Sequence, residues 1–531
     1  MWLCRTSMPS LALVASCLLA APAVAQKSGG VLRATISANP SSMSIHEEAS
    51  ITTVMPAMGI FNNLVLFDPA VPRNSMDAIV PDLAESHAWD ATGTRLTFKL
   101  RDGVKWHDGR PFTAKDVVCT WSRLTGKEPD YFRKTPRKIW FENLKEVTAN
   151  GDLEATFHLG RPQPALLAML ASGMSPVYPC HVSAKDMRQA PVGTGPFKFV
   201  EFKSNDVVKL ARNPDYWRKD RPYLDGVSFT IMPNRSTRVL GLIAGEFDLT
   251  STGDITVPLM SDIEARAPRV VCKLAPTNVS VNVLVNQSRP PFDNPALRKA
   301  MALGVDRQSF ITILANGKSD ISGAMMAQPE GLWGMPKAVL EALPGYGGTF
   351  EDRAAEARRI MEGLGYGPTK RLKVKVSTRD FQAYKDPAVI LADQLNKIHF
   401  DAELEIIEST VWFGRAARQD YAVGLNLTGS AVDDPDVTLT ENFACKSENN
   451  FTKYCNAEVD RLLVVQSQER DVEKRKQTVW QIEKLLAEDV ARPIVYHGRA
   501  AQCWQPTVKG YVRHENSIYN NWRLENVWLD R

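Results

Sequence analysis

The chain has 531 residues, 23% of them charged and 44% hydrophobic, with a formal net charge of +4. That length exceeds what one core ordinarily serves, so two or more lobes are expected. Lysines and arginines are interspersed with acids instead of gathered on one segment, which argues against nucleic acid as a partner, and no stretch after the leader is long and apolar enough to span a membrane.

Residues 1–25 read as an export signal. Arg5 supplies the positive region, Leu11 to Ala20 the apolar one, and Ala23-Val24-Ala25 a small-residue cleavage site before Gln26. A competing reading is a lipoprotein box, Val14-Ala15-Ser16-Cys17, with Cys17 lipidated. That cut leaves a very short apolar core before it, so soluble release to the periplasm is expected. Export removes Cys4 and Cys17 and leaves Cys119, Cys180, Cys272, Cys445, Cys455 and Cys503. An even number in an exported protein favours disulfides. Cys445 and Cys455 flank the polar segment KSENNFTKY and are expected to pair. Spacing does not fix the pairing of the other four, Cys272 with Cys503 being one option. No Cys or His pair has zinc spacing, so no metal and no cofactor are expected.

Val31 to Ser37 reads as a first strand, ended by Asn39-Pro40. Met55 to Phe67 reads as a helix turning into a short strand. Leu96, Phe98 and Leu100 alternate with Thr97, Lys99 and Arg101, the period-two pattern of a half-buried strand. Asp102-Gly103 then turns the chain, Val104 to Trp106 runs to a second turn at His107-Asp108-Gly109, and Thr113 with Asp116 resembles a capping box opening a helix. His107 beside Asp108 invites an acid–base reading, but adjacent strand–turn residues point apart and nothing nearby supplies a nucleophile. Residues 124–143, basic and aromatic but interrupted by Pro129 and Pro136, read as a solvated loop. Phe197 to Phe202 and Val207 to Asn213 read as a hairpin. Gly193-Thr194-Gly195 before it lacks the Gly-Lys-Ser/Thr of a phosphate loop. A strand within Leu224 to Pro233, a helix from Ser236 to Gly245, an alternating run over 278–286 and a helix from Pro295 to Ala302 follow.

The second half changes character. A helix from Glu351 to Leu364 ends at Gly365, and a strand carries Leu372, Val374 and Val376. Then come a helix from Pro387 to Ile398, a strand from Ala402 to Ile407, a short helix from Trp412 to Arg418 and a strand from Tyr421 to Leu427. Alternating strands and helices are the pattern of an open α/β sheet. Asp460 to Val490 adds amphipathic helix, Pro493 to Tyr496 a strand, and a Trp-rich tail runs to Asn521-Trp522-Arg523. No Gly-x-Ser-x-Gly elbow occurs, and His46-Glu47-Glu48 lacks the distant His of a zinc protease.

Four ordered segments together resemble one family. LTFKLRDGVKWHDGRPFTAKDV, PVGTGPFKFVEF with RNPDYW, NQSRPPFDNPALRKAMALGVDR, and YCNAEVDRLL are similar to the family 5 extracytoplasmic solute-binding proteins of ABC importers, which serve peptides, nickel and related solutes. The resemblance implies an α/β, two-lobe periplasmic-binding-protein fold with an extra subdomain in the first lobe. By that analogy the first lobe is 26–277 plus 492–531, the second is 278–491, and the hinge crosses near Asn278 and Arg492. Peptide binders of the family hold the α-amino group with an acid following the strand before the cysteine loop, and the carboxylate with a base on the preceding helix. Here Ser430 stands where the amine-binding Asp commonly stands. Asp433 or Asp434 could substitute, or could cap a helix before Pro435; Lys385 and Arg379 are the options for the carboxylate. Asn278 and Ser280 at the hinge, Trp412 and Trp522 are further cleft candidates, with core packing the alternative for each tryptophan. The expected function is that of a non-enzymatic, monomeric periplasmic receptor that captures an oligopeptide or peptide-like solute and delivers it to an inner-membrane permease. The alternatives are a secreted hydrolase using Asp433 and Asp434 as paired carboxylates, and a receptor of the same fold for a sugar or metal chelate.

Overall fold

Alternation governs the strand Arg95–Leu100: Leu96, Phe98 and Leu100 are buried in the core of the first lobe while Arg95 and Lys99 face solvent. The computed structural model to which this strand belongs describes residues 26–531 except 49, 320, 322, 323 and 328–330, so the export signal and Cys17 lie outside the described residues. Beyond the turn at Gly103, the helix Ala114–Thr125 opens with the expected capping box of Thr113 and Asp116. The Asp116 carboxylate does more than cap, because it also accepts from the Trp106 indole at 3.3 Å and from the Cys180 amide at 2.9 Å. His107 and Asp108 do point apart. The His107 ring contacts the Gly195 carbonyl at 3.0 Å and Asp108 contacts His181 at 2.6 Å. Burial lowers the His107 pKa to about 4 and keeps the ring neutral, so its role is to pin the Gly-Thr-Gly segment. That segment needs glycine for a close approach: a Cβ at Gly193 would lie 1.9 Å from the Ile60 carbonyl oxygen.

Two four-stranded sheets build the first lobe. One runs Val31–Ile36, Gly226–Ile231, Val207–Arg212, Phe197–Lys203; the other runs Ala84–Trp89, Arg95–Leu100, Glu154–Leu159, Leu144–Ala149. The second lobe is a five-stranded sheet in the order Phe400–Ile407, Leu372–Arg379, Val423–Gly429, Val271–Val285, Ile494–Trp504. Its first three strands run parallel, as alternating strands and helices require. The helices Pro295–Leu303, Phe350–Gly363 and Gln382–Asn396 pack on that sheet. The last of these begins before Pro387 and carries the proline inside it, against the expected start. Tyr384, Ala388 and Leu391 bury its inner face, and that packing outweighs the lost backbone hydrogen bond.

Two strands cross between the lobes. Val271–Val285 pairs antiparallel with Ile494–Trp504 along most of its length, well beyond the run expected over 278–286. The register breaks between Pro276 and Val279, opposite Gly498–Arg499, where Asn278 adopts φ 52°. Cys272 and Cys503 face each other on this ribbon and are bonded; Cys119 joins Cys180 and Cys445 joins Cys455, the last across a separation of 10 residues.

The solvated-loop reading of 124–143 is corrected. Phe132, Trp140 and Phe141 are buried, and the short 3-10 turn Lys138–Phe141 carries the last two into the first-lobe core. Irregular backbone gave these aromatics no period to be recognised by.

Candidate ligand-binding site

A cavity of ≈ 560 Å³ lies between the lobes, within the range of small-molecule sites. The first lobe contributes segments around Ser37–Thr52, Lys134–Trp140 and Tyr519. From the second lobe come residues at the carboxyl ends of all three parallel strands: Arg379–Phe381, Glu408–Thr410 and Asn426–Gly429. Open α/β sheets present their ligand sites at those strand ends, where loops diverge.

Three arginines line the cavity. Arg379 is 8% exposed and lies against the rings of Phe381, Tyr384 and Phe413 at 5.4, 5.0 and 5.1 Å. It donates to the Tyr384 hydroxyl at 3.2 Å, and its buried Nε has no partner. Arg137, 3% exposed, donates to the backbone carbonyls of Glu48, at 3.0 Å, and Ile45. Arg492, 2% exposed, donates to Asn282 Oδ1 at 2.8 Å, Asn442 Oδ1 at 2.7 Å and Thr428 Oγ1 at 2.5 Å. Burial depresses the pKa of Arg137, and that of Arg492 to about 10. Each of the three therefore has neutral hydrogen-bond partners only, among the described residues.

The acids of the lining are engaged elsewhere. Glu47 pairs with Arg188 at 2.8 Å, Glu48 with Arg133 at 3.1 Å and Asp380 with Lys385 at 2.9 Å. Glu408 caps the helix Ser409–Ala417 through the Thr410 amide at 3.1 Å, and its bonds to Thr410 lower its pKa. Half-buried Glu441 spans the lobes, accepting from the Trp140 indole at 3.1 Å and from Asn449 at 2.6 Å. Desolvation raises its pKa against the opposing charge of Arg137.

The residues singled out from sequence scatter. Arg379 lines the cavity. Asn278, Ser280 and Ser430 line a hollow of only ≈ 20 Å³ beside Thr428–Gly429. The Ser430 hydroxyl is turned to the Val432 carbonyl and accepts from Thr438 at 3.0 Å. Lys385 is held by Asp380 outside the lining. Trp412 and Trp522 are both core residues, their indoles bonded to Asn426 at 3.3 Å and to the Ile518 carbonyl at 2.8 Å.

Asp433 and Asp434 do not form a working pair of carboxylates, and the hydrolase reading is corrected on that ground. Asp434 caps the helix Pro435–Phe443 and is gripped by Arg475 at 2.9 and 2.6 Å. Asp433 turns to Asn516 at 3.5 Å, its other oxygen buried without a partner, and desolvation pushes its carboxyl up to about 6. Neither lines the cavity.

Sequence reading missed Arg137, Arg492, Glu441 and Phe413. One signal was present: Arg492 interrupts the apolar run Val490-Ala491-Arg492-Pro493-Ile494-Val495, and an unmatched charge inside such a run marks a polar task.

A ligand-sized cavity between two lobes joined by crossing strands defines a solute-binding protein. The chain belongs to the bacterial extracellular solute-binding proteins, family 5, whose middle-region model matches residues 78–450. It is 27% identical over 533 residues to "Probable di/tripeptide-binding protein 5" of Pseudomonas aeruginosa, an alignment covering 94% of this chain and 95% of the relative. Among solved structures, the periplasmic binding protein DppA of Helicobacter pylori in complex with the peptide STSA superposes with a TM-score of 0.84 at 22% identity, over 95% of this chain and 99% of that one. The binding protein AgaA of A. tumefaciens R10, in complex with agropinic acid, superposes with a TM-score of 0.81 at 20% identity, over 94% and 99%.

Proposed function

We propose that this protein is the periplasmic receptor of an ABC importer, capturing a peptide or peptide-like solute in the cavity between its lobes and delivering it to an inner-membrane permease. The carrying observation is the cavity itself: ≈ 560 Å³, built from both lobes, with Arg379 held among three aromatic rings at a strand end. The names of the relatives, a di/tripeptide-binding protein and a receptor bound to a tetrapeptide, support a peptide-like ligand. Capture needs no covalent chemistry, and the protein acts as a monomeric, non-enzymatic receptor exported by the signal at 1–25.

In this reading the lobes are 26–277 with 492–531 and 278–491. They close about the ribbon at Asn278 and Gly498, because a few residues at such a crossing absorb the backbone change. Trp140–Glu441 is a contact of the closed state. Solute favours that state only through contacts that the open one lacks.

A thermal-shift screen of di- to pentapeptides, opine-like conjugates, oligosaccharides and nickel chelates tests the assignment. A true ligand at 100 times its Kd stabilises the fold by about 2.7 kcal/mol. Peptides or their conjugates are expected to raise the melting point. A response to sugars or chelates alone rejects the peptide reading.

A further inference from the structure

We infer that the captured solute is an acidic one, carrying at least two carboxylates on its peptide-like body, with Arg137 and Arg492 recognising this charge alongside Arg379. The inference rests on the function proposed above and narrows its substrate class.

The argument is one of uncompensated charge. A buried guanidinium is poorly solvated, and proteins ordinarily place a carboxylate against it. Arg137, Arg379 and Arg492 line one cavity and reach only backbone carbonyls, amides, hydroxyls and ring faces. The acids around them do not close the balance. Glu47, Glu48 and Asp380 each face a cation from outside the lining, and Glu408 is spent on a helix cap. Glu441 feels the charges of Arg137 and Arg492, Glu48 acts on Arg137 and Arg379 on Glu408, yet none of the three guanidinium groups forms an ion pair among the described residues. Three guanidinium groups without an ion pair of their own leave positive charge facing the cavity. The exposed Lys134 and Glu448 at its margin offset each other.

Placement supports the same conclusion. Arg137 belongs to the first lobe, Arg379 to the second, and Arg492 stands where the chain crosses back between them, so closing the lobes gathers all three around the solute. The Tyr519 hydroxyl, also in the cavity lining, feels the charges of both Arg137 and Arg379. Guanidinium groups bind carboxylates with a geometric fit that a solvated ammonium lacks. The Ser430 hydroxyl, where the family's amine-binding carboxylate commonly stands, is turned to the chain's own Val432 and Thr438. Two sources share the inferred chemistry: a peptide with acidic side chains, and an amino acid N-alkylated by a second carboxylic acid.

Calorimetric titration of the full chain with three probes tests this: the dipeptide of two glutamates, its counterpart of two glutamines, and an N-(1-carboxyethyl) amino acid with a neutral side chain. At least one dicarboxylate probe is expected to bind about tenfold or more tighter than the glutamine dipeptide, the effect of one charge-assisted contact. Which probe does so identifies the source. In Arg492→Gln that preference is expected to fall about tenfold, while the wild-type comparison stands independently of whether the variant folds. Affinity of both acidic probes no higher than that of the glutamine dipeptide overturns the inference and leaves the peptide receptor intact. Binding of none of the three, with sugars or chelates binding instead, overturns the receptor assignment and the inference with it.

Discussion

Arg523 and Arg475 are buried beside carboxylates of their own chain, whereas Arg137, Arg379 and Arg492 are buried beside neutral groups. Arg523 meets Asp82 at 2.6 Å with both side chains within 1% of full burial, and Asp82 is further held by Asn62 at 2.9 Å and the Asn63 amide at 2.8 Å. Arg475 reaches Asp434 at 2.6 Å and Asp436 at 3.3 Å, and Asp436 also accepts from Gln466, Ser467 and Gln163. Such networks are complete within the chain and fix how helices and tail sit. The cavity arginines are held in position equally well but are incomplete, and the missing partner is what arrives from outside. Burial alone thus says little about role; the charge balance around the buried group separates scaffold from site.

The comparison is sharpened most by removing one side of a complete pair. Arg523→Leu leaves the buried Asp82 carboxylate with only the more distant Arg218, at 3.8 Å, and is expected to lose about 3 to 5 kcal/mol of stability in urea unfolding. A loss under about 1 kcal/mol breaks the distinction. Glu483 is the mirror image, a buried carboxylate that among the described residues has no cation and accepts only the Met325 and Met326 amides at 2.7 and 2.8 Å. Desolvation raises its carboxyl to about 7 from 4.5. Between those values the folded chain holds a proton that the unfolded chain has released, so this group's contribution to stability falls as pH rises from about 4.5 to 7, by about 3 kcal/mol. Glu483→Gln is expected to be the more stable protein at pH near 7.5, with the advantage fading toward pH 4. A difference that does not change with pH contradicts the assignment.

Smaller effects belong to the binding side. Trp140→Phe keeps the ring in the first-lobe core but removes the donor to Glu441, and is expected to weaken solute affinity by about 0.5 to 1.5 kcal/mol through a less stable closed state. Affinity equal to wild type removes that contact from the closed state. Lys385→Ala should change affinity least, by under about 1 kcal/mol, because its charge is already met by Asp380 at the surface. A loss comparable to that of a cavity arginine would move Lys385 into the site.

What sequence reading recovered is what is local. The alternation at Leu96–Leu100, the capping box at Thr113 and Asp116, and the short Cys445–Cys455 loop are each specified within a dozen residues or so. The crossing ribbon was half legible. The run over 278–286 alternates, but its extension back to Val271 through Pro276 exists only because Ile494–Trp504 lies beside it. The site was least legible because Arg137, Arg379 and Arg492 come from three remote segments, each ordinary alone. Arg379 and Lys385 were both options for the carboxylate partner that the resemblance implies, and they were not distinguishable until Asp380 was seen to hold Lys385. Asp434 read equally as ligand or cap, and Arg475, distant in sequence, decides for the cap.

The central claim is that the incomplete arginines are the ones that hold solute, and Arg379→Ala tests it most directly when affinity and stability are measured on the same preparation. Calorimetric titration with the best ligand of the screen is expected to show a loss of about 1.5 to 3 kcal/mol in binding, roughly ten- to a hundredfold, at an unfolding free energy within about 1 kcal/mol of wild type. Unchanged affinity, or a stability loss as large as that of Arg523→Leu, would contradict it.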